Sequence, residues 1–216
     1  MPPTRAATQI ELTLRPPPTW GGAREGAGRP RTGSAGVLHA ARPALARRHP
    51  VHVTLRVLPH VWSLRSRRSF RVVEAALRGV LPRTGFGIVH FSVQGNHVHL
   101  IAEAADAPSL SRGIQAFAIR LAKCLNRLMA RRGPVFADRF HEHVLRSPAE
   151  TRRAISYVLG NFAGHMARLG KRVGACFVDP YCSTALRRLA QEQQATPPLA
   201  SARTWLLAEG WLRAPA

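Results

Sequence analysis

Residues 95–104 read GNHVHLIAEA, and His97 and His99 stand one residue apart in a run otherwise suited to a β-strand. Side chains alternate along a strand, so the two imidazoles point the same way and lie within reach of one ion. Neutral imidazole is a common ligand for divalent ions. The spacing fits a metal site, and it equally fits a solvated polar face. A third ligand would have to come from elsewhere. Glu103 shares the face but lies four residues from His99, roughly 13 Å at 3.3 Å per residue, too far to share an ion with it. His141-Glu142-His143 is a second, competing HxH, read as strand-edge or ligand-facing residues. A better partner lies in RAISYVLGNFAGH, where Tyr157 and Asn161 are four apart and therefore stacked on one face of a helix. Ile155, Leu159 and Phe162 form a separate stripe suited to packing. Such a helix would bring a phenol and an amide oxygen together over a polar sheet face, although a tyrosine there also fits as a packed amphipathic residue.

The elements that would position these groups follow from periodicity. HPVHVTLRVLP alternates, with Val51, Val53, Leu55 and Val57 on one face and His52, Thr54 and Arg56 on the other. SFRVVEAALRGVL (69–81) predicts an amphipathic helix with Ser69 as its cap, closed by Pro82. GIVHFSVQ (87–94) alternates again, placing Val89, Phe91 and Val93 opposite His90, Ser92 and Gln94. Gly95-Asn96 predicts a hairpin into HVHLIAEA (97–104), where Val98, Leu100 and Ala102 face away from His97 and His99. A long helix is expected over 110–132, and a fourth strand over 140–146. Ser147-Pro148-Ala149-Glu150 is a capping box with proline at the first helical position, and launches a further helix ending near Gly170. The fold class expected is α+β: a ferredoxin-like β-α-β-β-α-β antiparallel sheet with an additional C-terminal helix that bears the tyrosine. Apolar residues of the first three strands would face two crossover helices. The other face would carry His52, Thr54, Arg56, His90, Ser92, Gln94, His97 and His99.

Composition names the partner class. The formal net charge is +21, from 32 basic against 11 acidic residues, and Lys123 and Lys171 are the only lysines. That balance predicts a polyanion, above all nucleic acid. The scarcity of carboxylates argues against a two-metal carboxylate nuclease. Cys124, Cys176 and Cys182 show no CxxC spacing and read as reduced thiols of a cytoplasmic protein. The opening MPPTRAATQIELTLRPPP has no apolar h-region, and no run approaches a membrane span. Residues 1–48, rich in Pro, Gly and Arg, are expected to be a disordered basic extension. Within them Gly28-Arg29-Pro30-Arg31 resembles an AT-hook core. Residues 49–170 would form the domain, and 171–216 an appended tail with short helices.

GNHVHL at 95–100 and YVLGN at 157–161, with VFADRFHEHVLRSPAETRRAIS between them, resemble the HUH single-tyrosine transposases. Within that superfamily the chain is most similar to the REP-associated tyrosine transposases, which are insertion-sequence-200-like. The resemblance covers roughly residues 48–170. It implies that His97, His99 and Asn161 hold Mg²⁺ or Mn²⁺ and that Tyr157 is the nucleophile. The implied reaction is cleavage and strand transfer of single-stranded DNA beside a hairpin such as a REP palindrome, through a 5′-phosphotyrosine. Phe162 replaces the family's proline after the asparagine, and Gly160 precedes it. Arg56, Arg120, Arg139 and Arg146 are candidate phosphate contacts, and Trp20 and Tyr181 candidate stacking residues. The resemblance further implies a bacterial, nucleoid-associated protein acting as a monomer, with a dimer as the alternative. Two other readings stand beside it: a catalytically silent nucleic-acid-binding protein, and a metal-dependent phosphodiester hydrolase. An RNA-recognition module fits poorly, because the polar face offers His, Thr, Ser and Gln where such modules stack bases on aromatics.

Overall fold

The computed structural model describes residues 44–81, 84–174 and 176–214, all within the compact unit Val37–Ala216. The AT-hook-like stretch, Trp20, Pro82 and most of the N-terminal extension lie outside the described residues. The order is β1 (Val51–Arg56), α1 (Arg67–Arg78), β2 (Phe86–Val93), β3 (His97–Ala104), α2 (Ala107–Leu128), β4 (His141–Val144) and α3 (Pro148–Arg168). Two short helices, α4 (Ser183–Glu192) and α5 (Trp205–Ala208), and a 3₁₀ turn (Gly210–Arg213) follow. The class is mixed α+β. Its four strands run in the spatial order β2-β3-β1-β4, and every neighbouring pair is antiparallel.

One face of the sheet behaves as its alternation dictates. Val51, Val53 and Leu55 of β1 and Val98, Leu100 and Ala102 of β3 are buried with Val73 and Leu77 of α1 and Ile114, Phe117, Leu121 and Leu125 of α2. Each such large side chain contributes about 1.5–3 kcal/mol on burial. Gly113 stands inside α2 because a Cβ there would overlap the Phe86 ring.

The opposite face is not open to solvent. Val89 and Ile101 form a second cluster with Leu145, with Ala154, Ile155 and Val158 of α3, and with Leu207 of α5. Val89 joins it because the β2–β3 register shifts between Ile88 and His90. Strict alternation placed Val89 beside Phe91 and Val93. A bulge adds one residue and flips the faces on one side of it, so Ile88, and not Val89, accompanies Phe91 and Val93 in the first core.

Helix ends also differ from expectation. Ser66, not Ser69, caps α1: its hydroxyl accepts from the Ser69 amide at 3.1 Å, and Ser69 is fully buried one turn in. Asp106 caps α2 and starts it three residues early, and β4 is shorter than 140–146. Ser147 caps α3 as read, with the Glu150 amide donating to Ser147 Oγ at 3.2 Å, but the Glu150 carboxylate reaches one residue past the cap and accepts from the Arg146 amide at 2.6 Å. Gly170, at φ +70°, lies just past its end.

Residues beyond 170 pack on the domain. The Val93 amide donates to the Tyr181 carbonyl at 2.9 Å, Ser92 bridges to Cys182, and the Ala200 amide donates to the Ile88 carbonyl at 2.9 Å. These contacts occupy the outer edge of β2, an edge that would otherwise invite pairing with another chain.

Replacing Gly113 with alanine should destabilise the protein despite alanine's higher helix propensity. The expected loss is about 1–3 kcal/mol, from overpacking against Phe86. The midpoint and slope of a urea unfolding curve measure it, and a stabilised variant would contradict the packing described.

Candidate functional site

The site is assembled from β1, β3 and α3. On β3, His97 and His99 point to the face covered by α3, with ring centres 4.7 Å apart. On β1, Thr54 lies opposite His99 and Arg56 opposite His97. The Tyr157 ring meets His99 edge-on at 5.2 Å and His52 at 5.8 Å. One and two turns further along α3 come Asn161 and His165, and the His165 ring is 6.4 Å from that of His97. The spacing of Tyr157, Asn161 and His165 puts all three on one stripe of the helix. His165 was not among the sequence candidates, although extending that stripe by four residues finds it.

The hydrogen bonds orient the imidazoles. His97 Nδ1 is 2.7 Å from Asn96 Oδ1, an oxygen that only accepts. The proton is therefore on Nδ1, and Nε2 keeps its lone pair. His99 Nδ1 lies 3.2 Å from His52 Nε2 and 3.1 Å from Thr54 Oγ1. With its partners on that side, His99 turns Nε2 inward, where it is buried without a hydrogen-bond partner among the described residues. Asn161 Oδ1 is likewise buried and unpartnered. Leaving such atoms unsatisfied costs about 1–3 kcal/mol each, so each calls for a partner.

Burial keeps these imidazoles neutral. It lowers the pKa of His99 to about 3, helped by His97, His52 and His165, and that of His52 to about 4, helped by His143. His97 is lowered as well, by burial first and then by His165 and Arg56. Neutral imidazole is the form that binds a metal. Tyr157, by contrast, is 49% exposed, so its phenol can be reached from solvent. Beside it lies a cleft of about 290 Å³ lined by His52, His143, Glu150 and Arg153.

Among the described residues no group of three or more His, Cys, Asp or Glu is arranged to hold a metal ion. The expected set has two imidazoles and an amide. The two orphaned atoms, His99 Nε2 and Asn161 Oδ1, belong to that set and are of the kind a divalent ion would satisfy.

Other expected residues separate. Arg56 acts electrostatically on His97. Arg120 lies across Gly79 at the end of α1, in the helical layer. Arg139 lines a cleft of about 350 Å³ with Leu55, Ile114 and Phe140, on the α2 side. Arg146 enters α3 with its amide on Glu150. Much of the polar face is structural. Gln94 donates to Ser92 Oγ at 2.9 Å, and the Glu103 carboxylate accepts from the Arg203 and Thr204 amides and from Thr204 Oγ1. Tyr181 packs edge-on against Phe70 at 4.9 Å. Phe162, at the proline position, lies under the Arg65 guanidinium at 3.9 Å, while Arg65 makes a two-pronged ion pair with Asp179 at 2.7 and 2.8 Å. Gly160 has open space around its Cβ position.

No family model matches the sequence, and no curated protein matches it. The fold has a solved counterpart. It is similar to the structure of a REP-associated tyrosine transposase bound to a REP hairpin, with a TM-score of 0.52 and 14% identity, over 77% of this chain and 93% of that one. At that identity the likeness is one of fold. Among the described residues no helix is long and apolar enough to cross a membrane.

A pH dependence follows from the buried histidines. His90 on β2, 3.5 Å from Ser183 Oγ, has its pKa lowered to about 4 by burial and then by Arg187. A folded-state pKa below the unfolded 6.5 means that the unfolded chain binds more protons between the two values. The stability from neutral His52, His90 and His99 is complete above about pH 6.5 and is lost as pH falls toward 4. The slope is up to about 1.4 kcal/mol per pH unit for each histidine. Denaturation at pH 7, 6 and 5 should show this decline, and His90→Asn should make it shallower. Equal slopes in the two proteins would remove His90 from the account.

Proposed function

We propose that this protein is a single-stranded DNA endonuclease and strand transferase, a transposase of the HUH single-tyrosine kind, cutting beside a DNA hairpin. The observation that carries the reading is the juxtaposition at α3. A half-exposed Tyr157 stands against His99, while His99 Nε2 and Asn161 Oδ1 are buried with no hydrogen-bond partner among the described residues. The similarity of fold to a hairpin-bound tyrosine transposase supports it, as do the net charge of +21 and the β-α-β-β-α-β order with β1 between β3 and β4, which fits a ferredoxin-like core.

In this mechanism His97, His99 and Asn161 would hold Mg²⁺ or Mn²⁺, which when bound would polarise the scissile phosphate and offset its developing charge. Asn96 and the His52–Thr54 pair keep the two ligand imidazoles in the correct orientation. Arg56 faces the phosphate backbone. Tyr157 Oη attacks phosphorus in line. The new bond is P–O(Tyr157), the bond broken is that to the 3′ oxygen, and the phenolic proton is balanced by the 3′-OH released. The phosphotyrosine retains diester energy, so a 3′-OH can reverse the step without a nucleotide cofactor. A phenol with pKa near 10 needs such electrostatic help at neutral pH. The reading carries with it a bacterial cytoplasmic, nucleoid-associated protein that works as a monomer.

Labelled single-stranded hairpin oligonucleotides, incubated with protein and Mn²⁺ and run on a denaturing gel, test the reaction. A protein–DNA adduct is expected, absent in Tyr157→Phe and in the presence of chelator. Cleavage that persists in Tyr157→Phe without an adduct would make the protein a hydrolase. Salt-sensitive binding with no product would make it a silent DNA-binding protein.

Metal binding has its own readout. Titration calorimetry with Mn²⁺ in the absence of DNA should show one site, weakened at least tenfold in His99→Ala and in Asn161→Ala. Unchanged Mn²⁺ affinity in both variants would leave the orphaned atoms without this role.

A further inference from the structure

A second site lies at the other end of the sheet. A cleft of about 620 Å³ opens where the chain enters β1, begins β2 and leaves β3. Arg47, Arg48 and Arg203 line it, all three exposed, together with Trp205, an indole that is 50% exposed. Among the described residues of its wall the one acid, Glu103, is buried and spends its carboxylate on the Arg203 and Thr204 amides and the Thr204 hydroxyl, at 2.7 to 3.1 Å. That bonding fixes the loop presenting Arg203 and Trp205. The indole is backed by bare chain: a Cβ on Gly210 would come within 2.8 Å of Trp205 Cζ3. The ring is thus held on one side and lines the cleft on another.

A supported, half-exposed indole among three guanidinium groups matches a particular ligand chemistry. Guanidinium groups take phosphate oxygens, and an indole face takes a base of any identity. A small inorganic anion would use the arginines and leave the indole idle.

We infer that this cleft is a second contact site for single-stranded nucleic acid, with Trp205 stacking on a base and Arg47, Arg48 and Arg203 holding the flanking phosphates. The inference rests on the nucleic-acid reading of the Tyr157 site and adds to it where the uncut part of the strand is held.

Fluorescence anisotropy of the full-length protein with a labelled 20-nucleotide oligothymidylate tests it, beside a blunt duplex of equal length. Trp205→Ala should weaken oligothymidylate binding about tenfold and leave duplex binding unchanged, and Trp205→Phe should restore most of the loss. Trp62→Ala, which removes a comparably exposed indole from elsewhere on the surface, should bind as the wild type does. Replacing Arg47 and Arg48 by alanine should lower the slope of log affinity against log salt by about one for each arginine. Thermal melts of the Trp205 variants confirm that they fold. Wild-type affinity in folded Trp205→Ala and Trp205→Phe would overturn the inference while leaving adduct formation at Tyr157 intact. So would displacement of the oligonucleotide by polyglutamate with the same dependence on Trp205, which would mark an acidic-peptide site. Failure of the wild type to bind any oligonucleotide would overturn this inference and the nucleic-acid reading together.

Discussion

The arrangement of the site depends on one contact, the packing of α3 onto the sheet face that also carries the histidines. Ile101 lies between His99 and Glu103 on that face and is fully buried against Leu145, Ile155 and Val158. Without this patch the face would be wet, and His52, His97 and His99 would be ordinary surface imidazoles. With it, water is displaced from the strip where Tyr157 and Asn161 approach, and burial becomes the largest cause of each lowered histidine pKa. The apolar cluster is therefore also the electrostatic device. It keeps the imidazoles neutral, and it seats Asn161 where its oxygen has no hydrogen-bond partner among the described residues.

What the sequence disclosed follows from which features have a fixed period. His97 and His99 share a face in any strand, and Tyr157 and Asn161 share a face in any helix, so both pairs were legible before their elements were located. The helix start at Ser147 was legible because its bonds are local, between Ser147 and Glu150 and between Glu150 and Arg146. Features that depend on distant partners were not. The bulge after Ile88 is a property of the pairing with β3, and nothing in GIVHFSVQ announces it. Ser66 and Ser69 are both adequate caps by type, and only the burial of Ser69 decides between them. A helix over the polar face was legible from Tyr157 and Asn161, but the rest of its cover was not, because one covering residue, Leu207, comes from a stretch that reads as a tail.

Phe162 of α3 lies under the Arg65 guanidinium and beside Phe177, whose ring centre is 5.7 Å away. Arg65 in turn donates to the Val93 carbonyl at 2.8 Å and pairs with Asp179. One partly buried guanidinium thus ties together the end of β2, the middle of α3 and the segment that closes the edge of β2. The pair is more than a surface ion pair, since Asp179 is nearly inaccessible and both of its oxygens are bonded. The helix that bears Tyr157 is held to the sheet by apolar contacts along its first half and by this cation beside Asn161.

The same economy bears on the chemistry. The chain has few carboxylates, and several of those described are committed to structure: Asp106 and Glu150 to helix starts, Asp179 to Arg65, Glu103 to the loop before α5. A chain this poor in acids has little to offer a cation except neutral donors, and the polar atoms left unpartnered beside Tyr157 are an imidazole nitrogen and an amide oxygen. In the reaction proposed above, a neutral donor set would bind a divalent ion less tightly than carboxylates would, but would leave the ion's charge undiminished toward a phosphate. With a net charge of +21, such a site would keep the attraction for a polyanion continuous from the surface inward, where a carboxylate ligand would interrupt it.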